Sequence, residues 1–193
     1  VSRLLERPID KAISSPKSQN YRSRITLRPN QDGVLGYSQL KSHHHIATPT
    51  CAIAAEEINA VLRKLPPLPF QAKSVEFRTN GTAVVLNIQS LQGRKPKSKW
   101  VEKWARDMVD GAAINGRTVF GNASLVFDYD KFKHRLGPST FFQVNPEINA
   151  MIIETVKHQI LQWAPTKVLD LFSGAGNLSL PIAAEDIEIT LIE

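Results

Sequence analysis

Residues 167–177 read KVLDLFSGAGN, and they join the pattern of a buried strand to a glycine turn. The apolar run in residues 168–171 is typical of a parallel strand that is covered on both faces. Gly174 and Gly176 let the backbone turn tightly beside a ligand. The next run, LSLPIAA, predicts a helix whose free N-terminal amides point toward that ligand.

Two carboxylates flank this turn at positions suited to ligand binding. Asp170 stands near the end of the first strand, and Glu193 ends the next strand-like run, IEITLIE, at a spacing that suits hydrogen bonds to a ribose diol. Ser179 replaces the third glycine of the dinucleotide pattern. The order Asp-x-Phe-x-Gly-x-Gly instead resembles the S-adenosylmethionine turn of Rossmann-like methyltransferases. The alternative is an ordinary strand-turn-helix that binds no ligand.

Composition limits the class of protein. The 193 residues are enough for one or two domains with a sizeable core. A net charge of +6 favours a polyanionic partner without establishing one. The single cysteine excludes an internal disulfide, and the sequence shows no apolar stretch of membrane-spanning length, so we expect a cytoplasmic protein with no membrane partner.

The N-terminal residues combine a linker with a basic strand. Residues 1–20 mix proline, serine and basic residues, which predicts a short helix or strand followed by a linker. The alternation that starts at Tyr21 places Arg22, Arg24 and Arg28 on one face of a strand. This face is either the solvated side of a sheet or a set of guanidiniums for RNA phosphates.

Histidines and the cysteine near residues 43–51 invite a metal interpretation, which the geometry disfavours. Three consecutive histidines of a strand point to alternating faces, and the Cys-x-x-Cys spacing of zinc sites is absent. After Pro49 and Thr50, apolar spacing predicts a helix over residues 52–65. A strand is predicted before these histidines, over residues 33–38.

The middle of the chain predicts an antiparallel sheet. Residues 72–78 and 82–89 are rich in β-forming side chains and are separated by Asn80 and Gly81, a strong hairpin signal. Further short strands are predicted over residues 112–114, 118–120 and 125–129, and the sheet is expected to be antiparallel throughout.

A dense basic segment, GRKPKSKW, follows the hairpin in residues 93–100 and leads into a helix predicted over residues 99–109. Its lysines are expected to contact phosphate. Trp100 and Trp104 are either a base-stacking surface or part of the buried stripe of the helix, and packing is favoured.

A long helix is expected to begin at Asn145, because asparagine is a good N-cap and the next residue, Pro146, suits the first helical position. Its predicted apolar stripe contains Ile148, Ile152, Val156 and Ile160. Gln143 then lies at the entrance of this helix, close to the ligand turn.

FFQVN in residues 141–145 and LDLFSGAGNLSLP in residues 169–181 together resemble the RNA (uracil-5-)-methyltransferase family. That family makes 5-methyluridine in tRNA or ribosomal RNA. The resemblance implies an α+β and α/β chain, in which an antiparallel-sheet, RNA-facing domain is followed by the start of a Rossmann-like class I methyltransferase domain. We expect an N-terminal segment in residues 1–20, the RNA-facing domain in 21–135 and the cofactor domain in 136–193.

The resemblance also implies two sets of site residues. The residues expected to bind S-adenosylmethionine are Gln143, Asp170, Phe172, Gly174, Gly176, Asn177 and Glu193. The residues expected to bind RNA are Arg22, Arg24, Lys95, Lys97 and Lys99. Two alternatives remain open, an RNA-binding module without catalysis and a class I methyltransferase with another acceptor.

The single thiol limits the chemistry that the resemblance implies. Family members with an iron-sulfur cluster use a cysteine where Cys51 stands, but this sequence lacks the upstream partners, so no metal site is expected and Cys51 is expected to be a buried small hydrophobe. The family activates uracil by adding a cysteine thiolate to carbon 6. We expect that nucleophile to lie beyond Glu193, and the 193 residues alone to transfer no methyl group.

Overall fold

The computed structural model describes residues 12–129, 132–183 and 186–193. Eleven strands lie in these ranges: β1 Arg24–Pro29, β2 Leu35–Ser38, β3 His45–Ala47, β4 Ser74–Thr79, β5 Val84–Gln89, β6 Gly111–Ile114, β7 Arg117–Gly121, β8 Leu125–Tyr129, β9 Phe132–Leu136, β10 Lys167–Leu171 and β11 Glu188–Ile192. Three helices of the same ranges are α1 Glu56–Leu62, α2 Ser98–Ala105 and α3 Pro146–Gln162. The helix or strand predicted near the start of residues 1–20 lies outside the described residues.

Seven strands form one mixed sheet in the order β3-β2-β1-β4-β5-β6-β7. Neighbouring strands are antiparallel except β5 and β6, which run parallel. The prediction of an antiparallel sheet throughout was therefore wrong at this pair. The reason is that α2 connects β5 to β6 as a crossover, and a helical crossover brings the second strand back in the same direction as the first.

The hairpin between β4 and β5 is confirmed. Thr79 pairs with Val84, and four residues form the turn between them. The side-chain oxygen of Asn80 accepts hydrogen bonds from the backbone N–H groups of Thr82 at 3.1 Å and Ala83 at 2.9 Å. Asparagine thus organises the turn through its own side chain, a role for which this residue is favoured.

The main core lies between one face of the sheet and helices α1 and α2. Leu27 and Phe77 from the strands and Ile58 from α1 are fully buried in it. Trp104 of α2 joins the same core, and its indole N–H donates to the carbonyl of Pro66 at 2.9 Å. A buried tryptophan with a satisfied N–H anchors α2 firmly to the sheet.

A second, smaller core lies on the opposite face of the sheet. Val85 of β5 packs there against Leu125 and Leu136 of the β8–β9 hairpin and against Phe142. Ala175 of the glycine turn contacts the same cluster. This core therefore fixes the hairpin, the FFQVN loop and the glycine turn near one another, on the side of the sheet away from α1 and α2.

The helix predicted over residues 52–65 is shorter than expected, because α1 begins only at Glu56. The backbone N–H groups of Asn20 and Arg22 donate to the carbonyls of Ala52 and Ile53, at 2.9 and 2.7 Å. Those carbonyls are used by a neighbouring segment, residues 52–53 form a turn instead of helix, and the helix therefore starts later.

Residues 178–182, within the helix predicted after the glycine turn, form turns instead of an α-helix. Pro181 lacks an N–H to donate to the preceding turn, and the hydroxyl of Ser179 bonds the carboxylate of Asp170. The prediction of helix amides pointing at the ligand was therefore wrong.

Helix α3 begins as predicted. The side chain of Asn145 accepts a hydrogen bond from the backbone N–H of Ile148 at 3.2 Å, and proline follows at the first helical position. Its buried positions are Asn149 and Ile153, however, and Ile152 of the predicted stripe is 38% exposed. The apolar spacing identified the helix but not the face that is buried.

Strands β10 and β11 form a separate parallel pair in which Lys167 aligns with Glu188. Their apolar side chains are open to solvent: Leu169 is 57% exposed and Ile192 is 50% exposed. The parallel strand predicted over residues 168–171 is thereby confirmed, but the cover on both faces that its apolar run also predicted is absent within the described residues.

Candidate functional site

A cavity of about 520 Å³ lies between the FFQVN loop, the start of α3 and the glycine turn. Six of the seven residues predicted to bind cofactor line it: Gln143, Asp170, Phe172, Gly174, Asn177 and Glu193. Gln143 comes from the FFQVN loop and Glu193 from the strand run that ends the sequence, while the other four belong to the glycine motif. The structure thus brings the predicted set to one place, and their binding of a cofactor stays a prediction.

Gly174 and Gly176 have different structural roles. Both have positive φ, +56° and +77°. A Cβ at Gly174 would meet no atom within 4 Å, whereas a Cβ at Gly176 would lie 2.9 Å from the Cγ of Leu180. Gly174 therefore keeps open space beside the cavity, while Gly176, which does not line the cavity, permits close packing inside the turn.

Glu193 closes the glycine turn from the neighbouring strand. Its carboxylate accepts a hydrogen bond from the backbone N–H of Gly174 at 2.7 Å. The N–H of Ser173 donates to the carbonyl of Ile192 at 3.1 Å. Phe172, the residue before Ser173, has φ +59° and is 92% exposed. An apolar ring held in solvent by a left-handed backbone is costly, which makes this residue a candidate for ligand contact.

Asparagine side chains join α3 to the glycine turn. Asn149 and Asn177 each donate to the other's side-chain oxygen, at 2.9 and 2.8 Å. Asn149 is buried, so this reciprocal pair is a strong constraint on the position of the turn. Asn177 was predicted to bind the cofactor, and in the structure its side-chain amide is hydrogen-bonded to Asn149.

His134 is a cavity residue that the sequence interpretation missed. It lies on β9 and is buried, and burial lowers the pKa of its imidazole, while a hydrogen bond with the backbone of Ala175 opposes that shift. The alternation of FKHRL in β9 was an available signal, because it places His134 and Leu136 on the same inward face.

The predicted RNA-binding arginines lie beside the FFQVN loop. The guanidinium carbon of Arg24 lies 4.9 Å from the ring centroid of Phe141 and 5.5 Å from that of Phe142. Arg22 is half-buried, and within the described residues its Nε has no hydrogen-bond partner. Both arginines are partly engaged with protein, so neither is a freely solvated cation.

The predicted RNA-binding lysines, Lys95, Lys97 and Lys99, are all exposed. They lead into α2, which packs on the opposite face of the sheet from Arg24. Trp100 is 45% exposed and lies 5.5 Å from the Nζ of Lys97, so the prediction that it packs in the buried stripe was wrong. Trp100 lies at the start of α2 and does not belong to the core that Trp104 enters.

Cys51 is half-buried and packs against the main core on the side of α1. Burial raises the pKa of the nearby Tyr37 hydroxyl to about 12, and the Cys51 thiol adds to this rise.

Within the described ranges no three His, Cys, Asp or Glu residues are grouped to hold a metal ion. The same part of the chain contains no helix with the length and apolar character needed to cross a membrane.

Comparisons with known proteins point to one class of enzyme. The chain is 29% identical over 192 residues to the 23S rRNA (uracil(1939)-C(5))-methyltransferase RlmD of Dichelobacter nodosus, covering 92% of this chain and 44% of that protein. A 56-residue segment is 41% identical to the 23S rRNA (uracil(747)-C(5))-methyltransferase RlmC of a Shewanella species, covering 29% of this chain and 15% of that protein. No family model matches the chain.

A solved structure shows the same fold. The Pyrococcus abyssi tRNA (uracil-54, C5)-methyltransferase in complex with S-adenosyl-L-homocysteine superposes with a TM-score of 0.69 at 17% identity, covering 92% of this chain and 50% of that one. The fold class predicted for the chain is confirmed. The resemblance to RNA uracil-5-methyltransferases is also confirmed, and the chain spans about half the length, or less, of the relatives it matches.

Proposed function

We propose that the chain is the cofactor-holding and RNA-facing part of an S-adenosylmethionine-dependent RNA methyltransferase that acts on carbon 5 of a uridine. The observation that carries the proposal is the single cavity that gathers Gln143, Asp170 and Glu193 from separate motifs. The names of the relatives favour ribosomal RNA as the substrate. Cytoplasmic location is part of the proposal.

The chemistry of the cavity fits S-adenosylmethionine. Glu193 can accept hydrogen bonds from ribose hydroxyls, and the Gln143 amide can bond the amino-acid end of the cofactor. The exposed ring of Phe172 offers an apolar surface to the adenine. Asp170 adds a second carboxylate, which favours a ligand that carries cationic groups. The open space beside Gly174 leaves room for close approach of the ligand to the backbone.

The division of labour is also proposed. Residues 136–193 hold the cofactor, which supplies a transferable methyl group when bound, and residues 21–135 face RNA through Arg22, Arg24 and the three lysines. Cys51 is not proposed as the thiolate nucleophile that attacks uracil. It packs against the main core, on the other side of the sheet from the cavity.

The test is calorimetric titration of the chain with S-adenosyl-L-homocysteine. We expect a saturable site whose affinity falls about tenfold or more in Phe172→Ala and Gln143→Ala. Arg117→Ala, which changes an exposed residue of β7, is the matched control and should bind like the wild type. Binding that survives both site variants unchanged would contradict the proposed pocket.

A further inference from the structure

Arg78 is a buried charge whose side-chain hydrogen bonds go to backbone carbonyls rather than to a carboxylate. It lies on β4 and is 1% exposed, and burial lowers the pKa of its guanidinium, although arginine stays protonated at neutral pH. Removing a charge from water is expensive unless other groups replace the lost solvation. The positions of the groups that replace this solvation indicate the structural role of Arg78.

The compensating groups belong to one loop. The guanidinium of Arg78 donates to the carbonyls of Gly137 at 2.7 Å, of Pro138 and of Thr140. Glu76 is the neighbouring acid, but its carboxylate is 3.6 Å from the Nε of Arg78, beyond hydrogen-bond distance. Backbone dipoles of the loop therefore provide most of the stabilisation.

The same guanidinium also holds the aromatic part of the loop. Its central carbon lies 4.7 Å from the ring centroid of Phe142, which is buried in the second core. A desolvated guanidinium is attracted to an aromatic face more strongly than an exposed one. Phe142 is followed by Gln143, which is exposed toward the cavity. Arg78 thus fixes the loop on both sides of Phe141.

We propose that Arg78 is a positioning residue of the cofactor site, which sets the place of Gln143 by holding the backbone of residues 137–142. It does not line the cavity itself and acts only through the loop. This inference rests on the proposed function for its ligand, but the tethering of the loop can be measured without any ligand.

The planar fork of arginine is essential to this arrangement. Three carbonyls are reached at once from two terminal nitrogens, whereas a lysine would bring a point charge on a thinner stem. Arg78→Lys should keep the positive charge and lose most of the tethering. A role limited to charge compensation would instead be rescued by lysine.

The experiment measures hydrogen exchange and cofactor affinity on the full chain in parallel. In Arg78→Lys we expect amides of residues 137–144 to exchange at least tenfold faster, while amides of β4 and β5 keep their protection. The affinity for S-adenosyl-L-homocysteine should fall about tenfold, the loss typical of groups that orient a ligand contact. Arg63→Lys, on an exposed arginine beyond α1, is the control and should change neither quantity.

The outcomes separate the two proposals. Unchanged exchange of the loop in Arg78→Lys overturns the positioning role, whether or not the ligand binds. Faster loop exchange with unchanged affinity overturns it as well. A wild-type chain that binds no ligand would contradict the proposed function, while the exchange result still reports on the tether. If Arg78→Lys does not fold, Phe142→Leu removes one attachment of the loop. The amides of residues 137–144 should then exchange faster to a smaller degree, and unchanged exchange would overturn the role.

Discussion

Gly174→Ala should mainly weaken ligand binding, and Gly176→Ala should mainly lower the stability of the fold. The two glycines have similar backbone conformations but different neighbouring atoms. Each has positive φ, which costs a non-glycine residue roughly 1–2 kcal/mol. At Gly176 the new Cβ would also lie 2.9 and 3.1 Å from the Cγ and Cδ1 of Leu180, adding about 1 kcal/mol as that side chain moves.

Gly176→Ala should therefore lower the free energy of unfolding by about 2–3 kcal/mol, and Gly174→Ala by about 1–2 kcal/mol. Urea unfolding followed by circular dichroism measures both values. The affinity for S-adenosyl-L-homocysteine should show the reverse order, because only the Cβ at position 174 stands in the open space beside the cavity. A Gly176→Ala protein that stays stable, or a Gly174→Ala protein with wild-type affinity, would refute this assignment.

Three further predictions follow from named contacts. Asn149→Ala and Asn177→Ala should each destabilise the chain by about 1–3 kcal/mol, since each leaves a partly buried amide unpaired; the double variant should cost less than the two singles together, as a double-mutant cycle would show. Burial favours the neutral imidazole of His134, so its pKa in the folded chain lies below the ordinary 6.5. As the pH falls below about 6.5, the unfolded chain binds more protons than the folded chain, and the free energy of unfolding should decline. His134→Gln should make that decline smaller in urea titrations. Replacing Lys95, Lys97 and Lys99 by alanine should weaken the salt dependence of single-stranded RNA binding. The slope of log affinity against log salt should become less steep by about 0.7 for each lysine removed. Lys64→Ala, an exposed control beyond α1, should leave the slope unaltered.

Local signals in the sequence were enough for several elements. Asn80 and Gly81 define the hairpin, and Asn145 followed by proline defines the start of α3, because turn and cap chemistry depends on neighbouring residues. Five of the six cavity residues were found because their two motifs are short and specific, and Glu193 was found from its spacing after the glycine turn.

Features that depend on distant parts of the chain were not accessible from the same patterns. The late start of α1 depends on bonds from Asn20 and Arg22, and the parallel pairing of β6 depends on where α2 returns the chain. The exposure of Trp100 could not be separated from the burial of Trp104 by periodicity, because both fit one stripe until the packing of α2 is known.

Arg78 shows a further limit of sequence interpretation. Its neighbours on β4 give no sign that a loop some sixty residues later will supply its hydrogen bonds. A charge in a strand pattern is ordinarily placed on the solvated face. Only the fold shows that this one is buried and attached to the loop of residues 137–142.

A crystal structure of the chain with S-adenosyl-L-homocysteine would show whether the cavity beside the glycine turn holds the cofactor. We expect the ligand in this cavity, with its ribose hydroxyls on Glu193 and its amino-acid end toward Gln143. A ligand bound elsewhere on the chain, or bound here with Glu193 and Gln143 turned away from it, would rule out the proposed site.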